Sequence, residues 1–198
     1  VALGDEAGFV LAVTSDRHTD ERCGFCAVSY NIYEDYFSRL PMPPSLLFDL
    51  SRIDLTKVEF DRDAIAEVNP QSYEMNQLDG IIWHDLDKLL CLGFKDITDS
   101  EFWVRGHIPG RPIMPGVIMV EAAAQQSSFF MKRIYGLEGF IGFSGIDRTK
   151  FRETVVPPSR MYLLSYISKL RSRQFSTNVQ GIVNGKIVFD TIVTGMLV

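Results

Sequence analysis

From Phe60 onward, hydrophobic and polar positions alternate in ways that name the elements in turn. Asp61 is a good N-cap for a short helix over 62–68, which Asn69-Pro70 ends. Two extended runs follow, GIIWHDL at 80–86 and KLLCLGFKDIT at 88–98, joined by an Asp-Leu-Asp turn as a hairpin. A long helix is expected next. Pro115 suits its first position, where a missing donor costs nothing, and Gly136 suits its left-handed end. The remaining strands are FIGFSGID at 140–147, RMYLLSYISKLR at 160–171, and the pair 175–183 and 186–198. That last pair turns at Asn184-Gly185, a strong short hairpin signal.

The long helix carries apolar residues on nearly every side: Val117, Ile118, Met119, Val120, Ala122, Ala123 and Ala124. A helix of that kind belongs inside a protein, and the flanking strands are the material available to wrap it. The expected architecture is α+β, a long central helix wrapped by a curved antiparallel sheet. Residues 1–59 do not share this pattern. Met42, ahead of two prolines, is a candidate translation start. Residues 1–41 are then an upstream extension, expected to be weakly ordered, and 42–59 a lead-in to a domain spanning 60–198.

Glu121 does not fit its helix. A carboxylate among apolar residues must be paired, hydrogen-bonded or held neutral, because an isolated buried charge is very costly. Burial also pushes a carboxyl pKa upward. A structural partner would explain Glu121 as well as a catalytic role would. His107 bears on the choice. It lies on a loop stiffened by Pro109, Pro112 and Pro115, and that loop leads directly into the helix. An imidazole so placed is an acid–base candidate. The unpaired amides of Gly116 and Val117, at the positive end of the helix dipole, could polarise a carbonyl oxygen.

Composition narrows the field. The chain has 198 residues, a size that supports a proper core. No apolar run is long enough to span a bilayer. Three cysteines do not make a disulfide framework, and a reducing cytoplasm is the expected setting. Cys23-Gly-Phe-Cys26 with His18 offers three ligands at most, so no metal is expected. Residues 1–101 hold 8 basic and 20 acidic side chains, and 102–198 hold 12 basic and 5 acidic. The second half could therefore steer an acidic partner. No recognition motif accompanies that charge, and nucleic acid is not expected.

The stretch GHIPGRPIMPGVIMVEAAAQ at 106–125 resembles the signature of FabZ-type 3-hydroxyacyl-(acyl carrier protein) dehydratases, a hot-dog-fold family. NPQSYEMNQLDGI at 69–81, KDIT at 95–98 and GIDRTKFRETVVPPSRM at 145–161 extend the likeness. The resemblance implies catalytic roles for His107 and Glu121, and a thioester-carbonyl contact at Gly116 with Val117. It also implies support from Gln125 and Tyr73. Ile108, where the family usually has Phe, and Pro115 are expected near the substrate tunnel. The implied reaction removes water from a (3R)-3-hydroxyacyl thioester without a cofactor. The implied assembly has a homodimer as its minimum unit, with trimers of dimers common in the family, and with His from one subunit facing Glu from the other. An acidic acyl carrier protein would dock on Lys132, Arg133, Arg148, Lys150 and Arg152. Three readings stay open beside this one: a hot-dog thioesterase, a coenzyme A-linked or polyketide-type dehydratase, and a non-catalytic acyl-binding protein. Asn76 and Gln77 depart from the family by replacing two apolar residues.

Overall fold

The first described helix is held by its cap. In the computed structural model, which describes residues 45–198, Asp61 accepts a hydrogen bond from the Ala64 amide (2.9 Å) and opens helix α1, Arg62–Ala66. The expected extension (1–41), the start at Met42, and His18, Cys23 and Cys26 lie outside the described residues. Strand β1 is Phe60–Asp61, β2 is Gly80–Asp85, and β3 is Leu90–Ile97. Helix α2, Gly116–Phe129, continues as a π-helical turn over Phe130–Ile134. Strands β4 (Ile141–Phe151), β5 (Ser159–Leu170), β6 (Gln174–Val183) and β7 (Lys186–Leu197) complete the fold.

All seven strands join one antiparallel sheet in the order β1-β2-β3-β5-β6-β7-β4. The β6–β7 hairpin turns on Asn184 and Gly185, both at positive φ (50° and 77°), as a two-residue primed turn requires. The sheet curves round α2, and their facing side chains form the main core. This is the expected hot-dog arrangement.

Polar groups also tie helix to sheet. The buried Gln126 amide donates to the carbonyls of Cys91 and Leu163 and to Ser165 Oγ, linking α2 to β3 and β5. Burial pushes the neighbouring Cys91 thiol far up, which keeps it protonated.

Three expectations need correction. Pro115 is the N-cap (φ −61°, ψ 131°) and Gly116 the first helical residue. The end of the long helix widens, with Tyr135 N bonding Phe130 O and Leu137 N bonding Met131 O. Phe129, Phe130 and Met131, where the helix widens, are all buried. The third correction concerns the sides of α2. Val117 is 72% exposed, and Glu121, Ala124 and Ser128 on the same helix face are only partly covered. One stripe of α2 is left open by the chain's own sheet.

The sheet's outer face is covered by residues 45–55. Leu47, Phe48, Leu50, Ile53 and Leu55 pack on Ile82, Leu92, Phe94, Leu164 and Ile182. Gln180 pins the segment, accepting from Leu47 N and donating to Ser45 O.

Candidate active site

The loop that carries His107 is fixed before it reaches the helix. At its start, Lys95 bonds both Asp79 (3.2 Å) and Glu101 (2.9 Å), and all three side chains are buried or nearly so. Buried Trp103 anchors the next turn, its carbonyl accepting from the Gly106 and His107 amides. At its end, Met114 N bonds Val155 O. His107 is exposed, and its Nδ1 donates to the Ile113 carbonyl at 2.8 Å. Since a carbonyl can only accept, the neutral ring carries its proton on Nδ1 and presents the Nε2 lone pair outward.

Helix α2 begins beside this loop. Ile118 N and Met119 N make the first bonds, to Pro115 O, so the amides of Gly116 and Val117 precede the helical ladder. The Phe151 ring lies against Gly116. A methyl group there would come within 2.6 Å of Phe151 Cε1 and Cζ, so only glycine allows this approach.

One turn further on, the Glu121 carboxylate accepts from Gln125 Nε2 at 2.7 Å. The same Nε2 donates to Met75 O (2.6 Å), and Gln125 Oε1 accepts from Gln77 N (2.8 Å). A single buried carboxamide thus orients the acid and clamps the loop on which Tyr73 sits. Tyr73 itself is 88% exposed and lies at φ 53°, an uncommon backbone state for an aromatic residue. Glu121 borders a cavity of about 150 Å³ between α2 and strands β4, β6 and β7. His107, Tyr73, Ile108 and Pro115 do not line it. Within one chain the structure therefore brings Glu121, Gln125 and an apolar cavity together, and leaves His107 outside them.

Residues 69–192 match the FabA-like domain, well over half the chain. The chain belongs to the FabA-like family. A 3-hydroxyacyl-(acyl-carrier-protein) dehydratase FabZ of Listeria monocytogenes is 34% identical over 131 residues, covering 66% of this chain and 90% of that relative. The bifunctional enzyme LpxC/FabZ of Chlorobaculum tepidum is 32% identical over 137 residues, 67% of this chain. This chain spans only 29% of that relative's length. Among solved structures, the dehydratase heterocomplex ApeI:P of Xenorhabdus doucetiae has a TM-score of 0.54 at 10% identity, over 68% of this chain and 90% of its own. The Escherichia coli PaaI protein of the phenylacetic acid degradation operon has 0.51 at 13%, over 68% and 88%. At such identities these two structures speak for the fold alone.

In this FabA-like chain most of the expected docking cations are already engaged. Lys132 Nζ donates to Val68 O, Arg133 lies 5.8 Å from the Phe60 ring centroid, and Arg152 pairs with Asp190. Arg148, at φ 49° in a bulge of β4, and the exposed Lys150 have no ion-pair partner among the described residues. The sequence reading missed a second basic site. Lys169 and Arg171 line a cavity of about 240 Å³ with Gln174, Ser176 and Thr194, at the β5–β6 turn. It also missed Gln71, which borders the Glu121 cavity and has a buried carbonyl oxygen without a partner. The SKLRSR run at 168–173 was the available signal for the first, and nothing in sequence singles out Gln71. No group of three metal-ligating side chains comes together among the described residues, and none of their helices is long and apolar enough to cross a membrane.

Proposed function

We propose that this protein removes water from (3R)-3-hydroxyacyl thioesters, giving trans-2-enoyl thioesters, in the manner of the FabZ dehydratases it resembles. The observation that carries this reading is the Gln125-held Glu121 carboxylate at the wall of a mostly apolar cavity of about 150 Å³. Dehydration needs a base for a weakly acidic C2 proton and help for a poor leaving group at C3. His107 Nε2 takes the C2 proton, and the electron pair forms the C2–C3 double bond as the C3–O bond breaks. Glu121, in its carboxylic acid form, gives the proton that turns the departing hydroxyl into water, and the proton taken by His107 later restores it. The amides of Gly116 and Val117 hold the thioester oxygen while charge builds there. A general acid or base contributes about 10²–10⁴-fold, and an oxyanion donor about 10²–10³-fold.

The site is completed by a second copy of the chain. Strand β4 is an edge of the sheet, eleven residues long, with Phe143, Ile146 and Phe151 exposed on it and Val117 exposed on α2. An open edge of that length and apolarity is a pairing surface. A twofold pair across β4 would bring the open stripe of α2, with Glu121, toward the partner's His107 loop. An acidic carrier protein would approach Arg148 and Lys150, or the Lys169–Arg171 cavity. Both are rich in cations without carboxylate partners among the described residues.

The deciding experiment assays the purified chain with a 3-hydroxyacyl carrier thioester beside His107→Ala and Glu121→Gln. Enoyl absorbance is expected from the wild type, and a loss of at least about 10²-fold from each variant. Equal rates from all three would remove the mechanism, and free thiol released without enoyl would identify a thioesterase instead.

A further inference from the structure

The Glu121 cavity has an open side and a closed one. Phe140 and Phe143, at one side, are about half exposed, whereas Phe175 and Val193, at the other, are 2% and 1% exposed. One row of the sheet runs from the open side to the closed one. Phe143 on β4 pairs with Gly195 on β7, which in turn pairs with Phe175 on β6. Gly195 leaves the space that the Phe175 ring fills, and a methyl there would lie 2.3 Å from Phe175 Cζ. On the helix side, Ser127 spends its hydroxyl on Ala123 O and brings no free donor to the wall. The cavity is therefore mostly apolar, with polar atoms from Gln71, Glu121, Ser128 and Thr194, and it meets the Phe175 ring at its closed side.

From this geometry we propose that the cavity receives the acyl tail and limits its length, with Phe175 as the residue that sets the limit. The proposal rests on the dehydratase reading for the placement of the thioester, with C3 at Glu121. The available volume is about 150 Å³. An apolar cavity of about that size accommodates a six-carbon ring. The tail thus has room for about six carbons beyond C3, which makes this a site for medium chains of about nine carbons or fewer.

The test measures binding and turnover side by side on the full chain. Saturated acyl-pantetheine thioesters of four to fourteen carbons are titrated by calorimetry. Each added methylene is expected to tighten binding about fourfold, at ~0.8 kcal/mol per buried CH₂, until the gain stops near nine carbons. Phe175→Leu should move that break at least two carbons longer. Gly195→Ala, which drives the ring into the cavity, should move it shorter and so serves if the first variant folds poorly. Affinity rising without a break to fourteen carbons would overturn the proposal, as would a break that neither variant moves. Turnover of the matching 3-hydroxyacyl series reads the reaction separately. A binding break without turnover would remove the dehydratase and leave the length limit standing. Turnover without a break would remove the limit alone, and no binding at any length would remove both.

Discussion

The two loops around the candidate site are held in different ways. The loop over 98–115 is fixed at many points, by the three prolines within it, by Trp103, by the ion pair of Glu101 with Lys95 on β3 and by the Met114–Val155 bond. The loop over 69–79 is fixed from outside, by Gln125, which bonds Met75 O and Gln77 N and whose own carbonyl accepts from Asn69. Its own side chains do less well. Asn69, Gln71, Asn76 and Gln77 each have a buried carboxamide oxygen without a partner, and Tyr73 sits at positive φ. The proposed base, His107, would need to keep its place whether or not substrate is present, and a loop held at many points suits that role. The second loop depends on the same carboxamide that orients Glu121, so a disturbance there reaches the acid as well.

The largest expected effect is on the stiff loop. Lys95→Met leaves Glu101 buried without its cation and Asp79 with only Arg62, and should cost about 3–5 kcal/mol in denaturant unfolding. A cost below about 1 kcal/mol, the range of an exposed pair, would show that the ion pairs do not secure this loop. Next comes Gln125→Ala, which strands Met75 O and Gln77 N and should cost about 2 kcal/mol. Its turnover should fall further than its melting temperature accounts for, because Glu121 loses its hydrogen bond. If kcat were preserved at a temperature where the variant stays folded, the link between loop and acid would be gone. The smallest effect has the opposite sign. Asn76→Leu removes a buried oxygen that no group satisfies, and should raise stability by up to about 1 kcal/mol. A loss instead would mean that Asn76 has a partner the loop relies on.

Much of this contrast was visible in the amino-acid order. The prolines around His107, the Asp61 cap and the Asn184-Gly185 turn are local signals, set by a residue and its near neighbours. What escaped was set at a distance. Strand β4 was expected to stop at 147. The chain instead absorbs a bulge at Arg148 and pairs on to Phe151. Gln125 was expected from the family likeness, yet its three side-chain bonds span 4 to 50 residues of separation and leave no periodic trace. The charge of Lys132 and Arg133 was legible, but not the Val68 carbonyl and Phe60 ring that occupy them. Residues 45–55 show no period because Asp49 and Asp54 fold them into side-chain-capped turns, from which the apolar residues between reach the sheet.

That cover over the outer face bears on where this protein can be cut. The FabA-like match starts at residue 69, but the wall formed by Ile82, Leu92, Phe94, Leu164 and Ile182 is kept dry by side chains well upstream of it. A fragment trimmed to its homology would keep every group of the proposed chemistry and bare a greasy flank to solvent, inviting precipitation. The smallest piece that stays in solution is larger than the smallest piece that could react.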